Sequence, residues 1–180
     1  SRHWAMPSAD TFSVGPIGDF VDGYRMQSSI SVDMFARNNQ WPTFTNDLNP
    51  DTAAKSHIDA EEFLRQLAYT GVKADLILFD PPYSPRQISE CYKGIGMKVG
   101  MKETQTAFLY RRVREAINLV ASDDAVVLSF GWNTVGMGKK LGWEIIEIML
   151  VCHGGGHNDT ICMAERRTQN KQQDLLTNEQ

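Results

Sequence analysis

The sequence predicts an α/β protein with a mostly parallel sheet and an antiparallel edge strand, and three observations support this. The apolar run at residues 76–79 is typical of a central strand that is covered on both faces. Segments with strand-like and helix-like patterns alternate ahead of it and after it. Two more strand-like segments close the chain, separated by a short glycine-rich loop that suits an antiparallel pair.

The strands are recognised from strand-forming residues bounded by turn signals. The first strand is predicted at residues 29–35, where apolar and polar residues alternate, and the second at residues 42–47, ahead of Asn49-Pro50. The strand over residues 74–79 follows. The later strands are predicted at residues 125–130, 143–151 and 160–165.

Helices are predicted where apolar residues recur at a spacing of three or four. A short helix begins near Pro16, because proline suits the first helical turn. Residues 58–69 and 103–120 form two longer amphipathic helices. We expect one domain over residues 10–166, with flexible termini at residues 1–9 and 167–180.

Composition places the chain among soluble globular proteins. It has 180 residues, 42% of them hydrophobic and 22% charged, which is enough for a single domain with one substantial core. The sequence shows no run long enough to span a bilayer and no signal-peptide pattern, so we expect a cytoplasmic protein. Three cysteines without CxxC spacing indicate neither a disulfide framework nor a zinc site.

The most informative segment follows the buried strand and reads Asp80-Pro81-Pro82-Tyr83. The carboxyl end of a parallel strand is where open α/β sheets bind ligands. Two prolines make the turn stiff and leave it carbonyl acceptors rather than amide donors. Asp80 and the Pro81 carbonyl can each accept one hydrogen of a planar aromatic amine while Tyr83 stacks on its ring.

This tetrapeptide, DPPY, resembles the catalytic motif of the S-adenosylmethionine-dependent amino-methyltransferases, which methylate adenine N6 or cytosine N4 in DNA. The resemblance covers residues 10–166 and implies the Rossmann-like, three-layer fold of class I methyltransferases, with S-adenosylmethionine as cofactor. It implies that Asp80, Pro81, Pro82 and Tyr83 are catalytic. The alternative is an ordinary strand followed by a Pro-Pro turn and a surface tyrosine.

In the family the first strand ends in a motif like DPFxGxG, and here the segment reads DMFARNN. Asp33, Phe35 and Ala36 match, whereas Met34 replaces the proline and residues 37–39 replace the glycine-containing turn. We expect Asn38 or Asn39 to supply the left-handed backbone that glycine usually supplies. The side chain of Arg37 is expected to pair with the cofactor carboxylate.

Two acidic residues extend the implied cofactor site. Asp47 matches the acid that binds the ribose hydroxyls, although a turn-initiating aspartate is the alternative. Asp59 matches the acid that bonds the amino group of the cofactor adenine, with Ala60 nearby, although a helix N-cap is the alternative. Asp80 is also expected to contact the cofactor.

The segment ahead of the first strand completes the implied cofactor site. In the family this segment packs over the methionine end of the cofactor, and Thr11, Phe12 and Ser13 occupy that place here. A simple capping segment at the amino end of the domain is the alternative. The resemblance therefore implies cofactor contacts from both sides of the first strand.

The candidate substrate residues follow three of the predicted strands. Ser84 and Arg86 come directly after DPPY, and Trp132 and Asn133 come after the strand at residues 125–130. His157 lies in the glycine-rich segment HGGGHND, which the family places near the target base. Surface positions and a packed tryptophan are the alternatives. We expect a turn there and no metal site, because two histidines lack a third ligand.

The function indicated is methyl transfer to an exocyclic amine of a DNA base, with adenine N6 first and cytosine N4 next. RNA and a free nucleotide stay open as substrates. The alternative function is a catalytically silent subunit that binds S-adenosylmethionine and supports a partner enzyme, which the unusual DMFARNN segment motivates. Because the net charge is −4, we expect a homodimer or a partner protein to extend the DNA-binding surface.

Overall fold

The computed structural model describes residues 1–82 and 106–168, with side chains from residue 110 in the second range. Within these ranges the chain forms one sheet with helices on both faces. The strands are β1 (Arg2–Trp4), β2 (Ser31–Asp33), β3 (Phe44–Thr45), β4 (Ala74–Phe79), β5 (Ala121–Gly131), β6 (Trp143–Cys152) and β7 (Thr160–Arg167). The helices are α1 (Gly15–Arg25), α2 (Ala60–Tyr69) and α3 (Thr106–Val120), and short 3₁₀ turns lie at Thr11–Ser13 and Lys139–Leu141.

The order of the strands confirms the predicted fold class. The seven-stranded sheet runs β1-β6-β7-β5-β4-β2-β3. Strands β2, β3, β4 and β5 are mutually parallel, and β7 is antiparallel to both β5 and β6. The antiparallel strand β7 is therefore two places inside the edge, because β6 and β1 lie beyond it.

Strand β1 lies within residues 1–9, which the sequence analysis predicted to be a flexible terminus. Arg2–Trp4 pairs in parallel with residues 150–152 of β6, and the Ala5 amide donates to the Cys152 carbonyl at 3.1 Å. The strand has only three residues and all three are exposed, so it carries no alternating apolar pattern. Its order comes from ladder hydrogen bonds rather than from burial.

Two apolar cores, one on each face, hold the helices against the sheet and confirm the three-layer arrangement. On one face Ile17 and Phe20 of α1 pack with Leu128 of β5. On the other face Phe63 of α2 and Ile117 of α3 pack with the central strands. Each fully buried side chain of this size stabilises the fold by about 1.5–3 kcal/mol. None of the helices in the described ranges is long and apolar enough to cross a bilayer.

Strand register brings the candidate residues to one edge of the sheet. Asp33 of β2 lies opposite Leu78 of β4, and Phe79 of β4 lies opposite Ser129 of β5. The carboxyl ends of these parallel strands therefore meet at the same edge, as the sequence predicted. Tyr83, Ser84, Arg86 and the tail at residues 169–180 lie outside the described residues.

A buried carboxylate fixes the connection between β5 and β6, which begins with Trp132 and Asn133. Glu165 of β7 is 1% exposed and accepts hydrogen bonds from the amides of Met137 at 2.6 Å and Gly138 at 2.9 Å. Gly136 has a φ of 45°, and a Cβ there would lie 2.2 Å from Glu165 Oε2. Only glycine therefore fits the point where this connection passes over the carboxylate.

Replacing Glu165 by Ala should destabilise the protein, because two buried amides lose their acceptor at a cost of about 1–3 kcal/mol each. Glu165→Gln keeps one acceptor oxygen and should lose less. Urea denaturation measures both, with the exposed Glu144→Ala on neighbouring β6 as the matched control. Equal unfolding free energies for Glu165→Ala and Glu144→Ala would contradict this role.

Candidate active site

Three carboxylates converge at the carboxyl edge of β2, β3 and β4. Asp33 ends β2, Asp47 follows β3 after Asn46, and Asp80 follows β4 directly. The charges of Asp80 and Asp47 both act on the Asp33 carboxyl group, which places them close to it. The edge of the sheet is thus strongly acidic and favours a cationic ligand.

Asp33 has no exposed surface and accepts two hydrogen bonds. The Phe35 amide donates to Oδ1 at 3.1 Å, and the Asn39 side chain donates to Oδ2 at 3.0 Å. Burial raises the pKa of Asp33 to about 7, and the carboxylates of Asp80 and Asp47 add to the rise against those two hydrogen bonds. The sequence placed Asp33 in the site but carried no sign of this elevated pKa.

The turn after β2 keeps the left-handed backbone that a glycine usually supplies, but at a different residue from those predicted. Arg37 has a φ of 48°, whereas Asn38 and Asn39 are not in that region. The asparagines instead bond through their side chains, because Asn38 Oδ1 accepts from the Ala53 amide and Asn39 donates to Asp33. These bonds fix both asparagines and leave the left-handed position to Arg37.

The side chain of Arg37 reaches the segment ahead of α1. Its Nη1 donates to the Ala9 carbonyl, and its backbone amide donates to Asp47 Oδ2 at 3.0 Å. Arg37 therefore links the turn after β2, the end of β3 and residues 7–13. The expected pairing of Arg37 with the cofactor carboxylate stays a prediction, and it requires this side chain to exchange its partner.

The neighbours of Arg37 are built into the core. Ala36 is buried, and its amide donates to the Asn46 carbonyl at 2.8 Å. The ring of Phe35 lies 6.3 Å from that of Phe79, centroid to centroid. The turn is therefore held between β3 and the end of β4.

Asp47 and Asp59 both have structural roles besides any role in binding. The carboxylate of Asp47 accepts from the Arg37 amide and from the Asn49 amide at 2.9 Å, which makes it a turn-forming aspartate. Asp59 Oδ1 accepts from the amides of Glu61 and Glu62, so Asp59 is the N-cap of α2. Buried Ala60 begins that helix. Both structural alternatives considered from the sequence, a turn-forming aspartate and a helix N-cap, are therefore present. Oδ2 of Asp59 accepts no hydrogen bond from the described residues.

The segment at Thr11–Ser13 forms a 3₁₀ turn beside the end of β5. The ring of Phe12 packs edge-on against Phe130 at 5.1 Å between centroids, and its carbonyl would lie 3.0 Å from a Cβ at Gly18. Ser13 Oγ donates within the segment to the Asp10 carbonyl at 2.7 Å. Phe12 is thus a packing residue, whereas Thr11 lines a cavity.

The turn after β4 is held by a tyrosine that the sequence did not single out. The hydroxyl of Tyr110 on α3 donates to the Pro82 carbonyl at 2.5 Å, and its ring packs edge-on against Phe79. Burial raises the pKa of Tyr110 to about 12, with a further contribution from the nearby Asp80 carboxylate. Tyr110 shares a helix face with Val113, and only the three-dimensional fold brings it to the turn.

Two cavities open beside the end of β5. The smaller, about 70 Å³, is lined by Phe79, Pro81, Tyr110, Ser129, Trp132 and Asn133, among others. The larger, about 360 Å³, lies between the segment ahead of α1, Trp132 and the β6–β7 loop, and its lining includes Thr11, His157 and Asn158. The Ser129 hydroxyl is buried and has no hydrogen-bond partner within the described residues. A water or substrate atom in the smaller cavity would satisfy it.

The two histidines of the β6–β7 loop differ in their surroundings. His153 is buried, and its ring nitrogens bond the Ala5 carbonyl at 2.8 Å and Thr160 Oγ1 at 2.9 Å. His157 is exposed at the rim of the larger cavity, and its amide closes a turn to the Gly154 carbonyl. No group of three potential metal ligands occurs within residues 1–82 and 106–168.

The arginines of α3 are engaged within the molecule. Arg111 pairs with Glu115 at 2.9 Å, and Arg112 pairs with Glu61. Arg114 donates to the Gly136 carbonyl at 2.8 Å and also to the Tyr110 carbonyl. Arg114 therefore connects α3 with the segment between β5 and β6.

Sequence comparison gives no match to a protein-family model and no match to a curated protein. Structural comparison finds TrmN from Thermus thermophilus, with a TM-score of 0.55 and 13% identity over 86% of this chain and 49% of TrmN. It also finds SMU.776 complexed with SAH, with a TM-score of 0.53 and 11% identity over 76% of this chain and 44% of that one.

A third similar structure is yhhF from Escherichia coli, with a TM-score of 0.52 and 10% identity over 91% of this chain and 92% of yhhF. The chain therefore spans less than half of TrmN and SMU.776 but nearly all of yhhF. At these identities the likeness shows the fold alone. It is the Rossmann-like fold of class I methyltransferases, as the sequence predicted.

Replacing Asp33 by Asn should stabilise the protein increasingly as the pH rises. The pKa of Asp33 is near 7 in the folded state and about 4 in the unfolded state. Because the folded protein binds the proton more tightly, protonation of Asp33 below pH 4 stabilises the folded state. This contribution is lost between about pH 4 and pH 7, and it amounts to at most about 4 kcal/mol.

Urea denaturation at pH 4.5 and pH 8 measures the effect of Asp33→Asn. The gain over the unmodified protein should be small at the lower pH and large at the higher pH. Asp51→Asn, an exposed position nearby, is the matched control. A gain that does not change with pH would show that Asp33 ionises normally in the folded protein.

Proposed function

We propose that this protein transfers the methyl group of S-adenosylmethionine to an exocyclic amine of a DNA base, with adenine N6 first and cytosine N4 next. One observation carries the proposal. Asp80, Pro81 and Pro82 form a stiff turn at the carboxyl end of the central strand β4, beside the buried Asp33, in a class I methyltransferase fold. An amine acceptor site and an acidic cofactor site are then adjacent.

The residues present fit S-adenosylmethionine. This cofactor carries a sulfonium and an ammonium, and the carboxylates at the edge of the sheet complement both charges. A cationic partner would favour the charged form of Asp33, which burial otherwise disfavours. SMU.776, which has a similar fold, was crystallised with SAH, an analogue of the cofactor. We assign the ribose hydroxyls to Asp47 and the adenine amino group to Asp59.

When bound, the cofactor supplies an activated methyl group with a neutral leaving group, so positioning dominates the chemistry. The exocyclic amine is a weak nucleophile, because its lone pair is delocalised into the base. Asp80 and the Pro81 carbonyl each accept a hydrogen bond from one of its two N–H groups. These bonds favour a tetrahedral nitrogen and stabilise the developing positive charge. Tyr110 holds the Pro82 carbonyl and so fixes the turn that presents these acceptors. Tyr83 is assigned to stack on the base, as base-flipping enzymes require.

A silent subunit that binds S-adenosylmethionine is the second candidate, and one observation favours it. The turn after β2 places an arginine at a φ of 48° and ties its side chain to the Ala9 carbonyl, where the family has glycine. Such a subunit has no need for the amine acceptor Asp80. Cofactor binding without methyl transfer to any nucleic acid would support this candidate over the enzyme.

Access to DNA is the remaining part of the proposal. The net charge is −4, and the arginines of α3 are paired or engaged within the molecule. Backbone affinity depends on cations that displace counterions from the phosphates. We therefore propose that a second copy or a partner protein extends the binding surface, as the charge of the chain predicts.

Replacing Asp80 by Ala should reduce methyl transfer by roughly 10²–10³-fold or more, because an acceptor for the developing charge is lost. Transfer of a labelled methyl group to DNA, followed by nucleoside analysis, measures this and identifies the methylated base. Calorimetric titration with S-adenosylmethionine should show that most cofactor affinity remains. Asp51→Ala is the control, and near-normal transfer by Asp80→Ala would refute the mechanism.

Replacing Asp47 by Ala should weaken S-adenosylmethionine binding by roughly tenfold or more, because a charge-assisted hydrogen bond contributes about 1.5–3 kcal/mol. Asp47 also accepts from two backbone amides, so the variant needs a check of its unfolding free energy. Asp47→Asn keeps one carbonyl acceptor and should lose less affinity. An unchanged dissociation constant in a folded Asp47→Ala variant would remove Asp47 from the site.

A further inference from the structure

The two cavities at the end of β5 share one wall. Among the residues that the structure describes, Trp132 is the one that lines both the smaller cavity of about 70 Å³ and the larger cavity of about 360 Å³. Trp132 is an exposed residue, with 44% of its surface accessible to solvent. The indole thus stands at the boundary between two spaces that open on the same edge of the sheet.

Of these two cavities, the smaller one borders the amine acceptor motif within the described residues. Pro81 and the end of β4 line it, together with the buried Ser129 hydroxyl. Within the described part of the chain, none of Asp80, Pro81 and Pro82 lines the larger cavity. A base whose amine reaches Asp80 and the Pro81 carbonyl therefore lies on the smaller cavity's side of Trp132. The larger cavity has room for a different group.

The lining of the larger cavity suits a planar, uncharged heteroaromatic ring. The residues that line it include Trp132, His157, Asn158 and Thr160. No Asp, Glu, Lys or Arg is among the described residues that line it. Its volume falls in the range of small-molecule sites. An amide and hydroxyls can bond the edge of a base while an indole stacks on its face.

We infer that the larger cavity holds the base next to the methylated one, with the Trp132 indole wedged between the two bases. This inference rests on the proposed function and specifies its substrate as a polynucleotide strand rather than a free nucleoside. Side chains that separate neighbouring bases in this way occur in proteins that distort nucleic acids. The wedge leaves the target base unstacked on one side, where the turn after β4 can receive it.

The test combines a change in the protein with a change in the substrate. Single-stranded oligonucleotides carry one adenine, with a normal base or an abasic spacer on its 5′ or its 3′ side. For the unmodified protein, the spacer on one of the two sides should lower kcat/KM by about tenfold, the loss expected for one base–aromatic stack. For Trp132→Ala, the same spacer should have little further effect, because the stack is already gone.

Trp132→Phe retains an aromatic face and should keep part of the sensitivity to the spacer. Tyr69→Ala is the matched control, since Tyr69 is an aromatic residue on α2 that is 94% exposed and lines neither of these cavities. Thermal unfolding confirms that each variant is folded. The dissociation constants of the same oligonucleotides, measured with S-adenosylhomocysteine present, give the same comparison without turnover.

Two results would overturn the inference. One is an unmodified protein that treats bases and spacers alike on both sides of the target. The other is a Trp132→Ala variant that discriminates between base and spacer as strongly as the unmodified protein. Absence of methyl transfer from every oligonucleotide would instead count against the proposed function, and the binding comparison would still decide whether Trp132 contacts the neighbouring base.

Discussion

A carboxylate without exposed surface is the constraint around which the carboxyl edge of the sheet is arranged. Asp33 is held by the Phe35 amide and the Asn39 side chain, and the carboxylates of Asp47 and Asp80 lie close to it. Burial of a charge is costly unless a partner offsets it. The edge therefore has lowest energy either with a proton on Asp33 or with a cation beside it, and this couples the fold to the charge of its ligand.

The turns that carry the proposed site residues are themselves held in place by residues farther away in the chain. Tyr110 holds the turn that follows β4, and Glu165 holds the connection that begins with Trp132. Arg37 joins the turn after β2 to the segment ahead of α1. Such support suits a reaction in which positioning contributes more than acid–base chemistry, because small displacements of the acceptors cost rate.

The sequence correctly predicted the elements that have a clear local pattern of residues. It missed the features that depend on contacts between residues far apart in the chain. The apolar run before Asp80, the acid that ends β2 and the acid that follows β3 were enough to place three carboxylates at one edge. The exposed strand β1 has no pattern, since its order comes from pairing with β6. The left-handed residue was expected at an asparagine and is Arg37, because side-chain bonds of both asparagines fix the turn.

The insertion of β7 between β5 and β6 bears on how the chain folds during synthesis. Strand β6 joins the rest of the sheet through β7, and β1 pairs with β6, so these two strands have no place in the sheet before β7 is made. Strand β1 must then pair with β6, which is synthesised much later than β1. On a ribosome that emits about 5–20 residues per second, such a chain completes its sheet only after residue 167 has emerged.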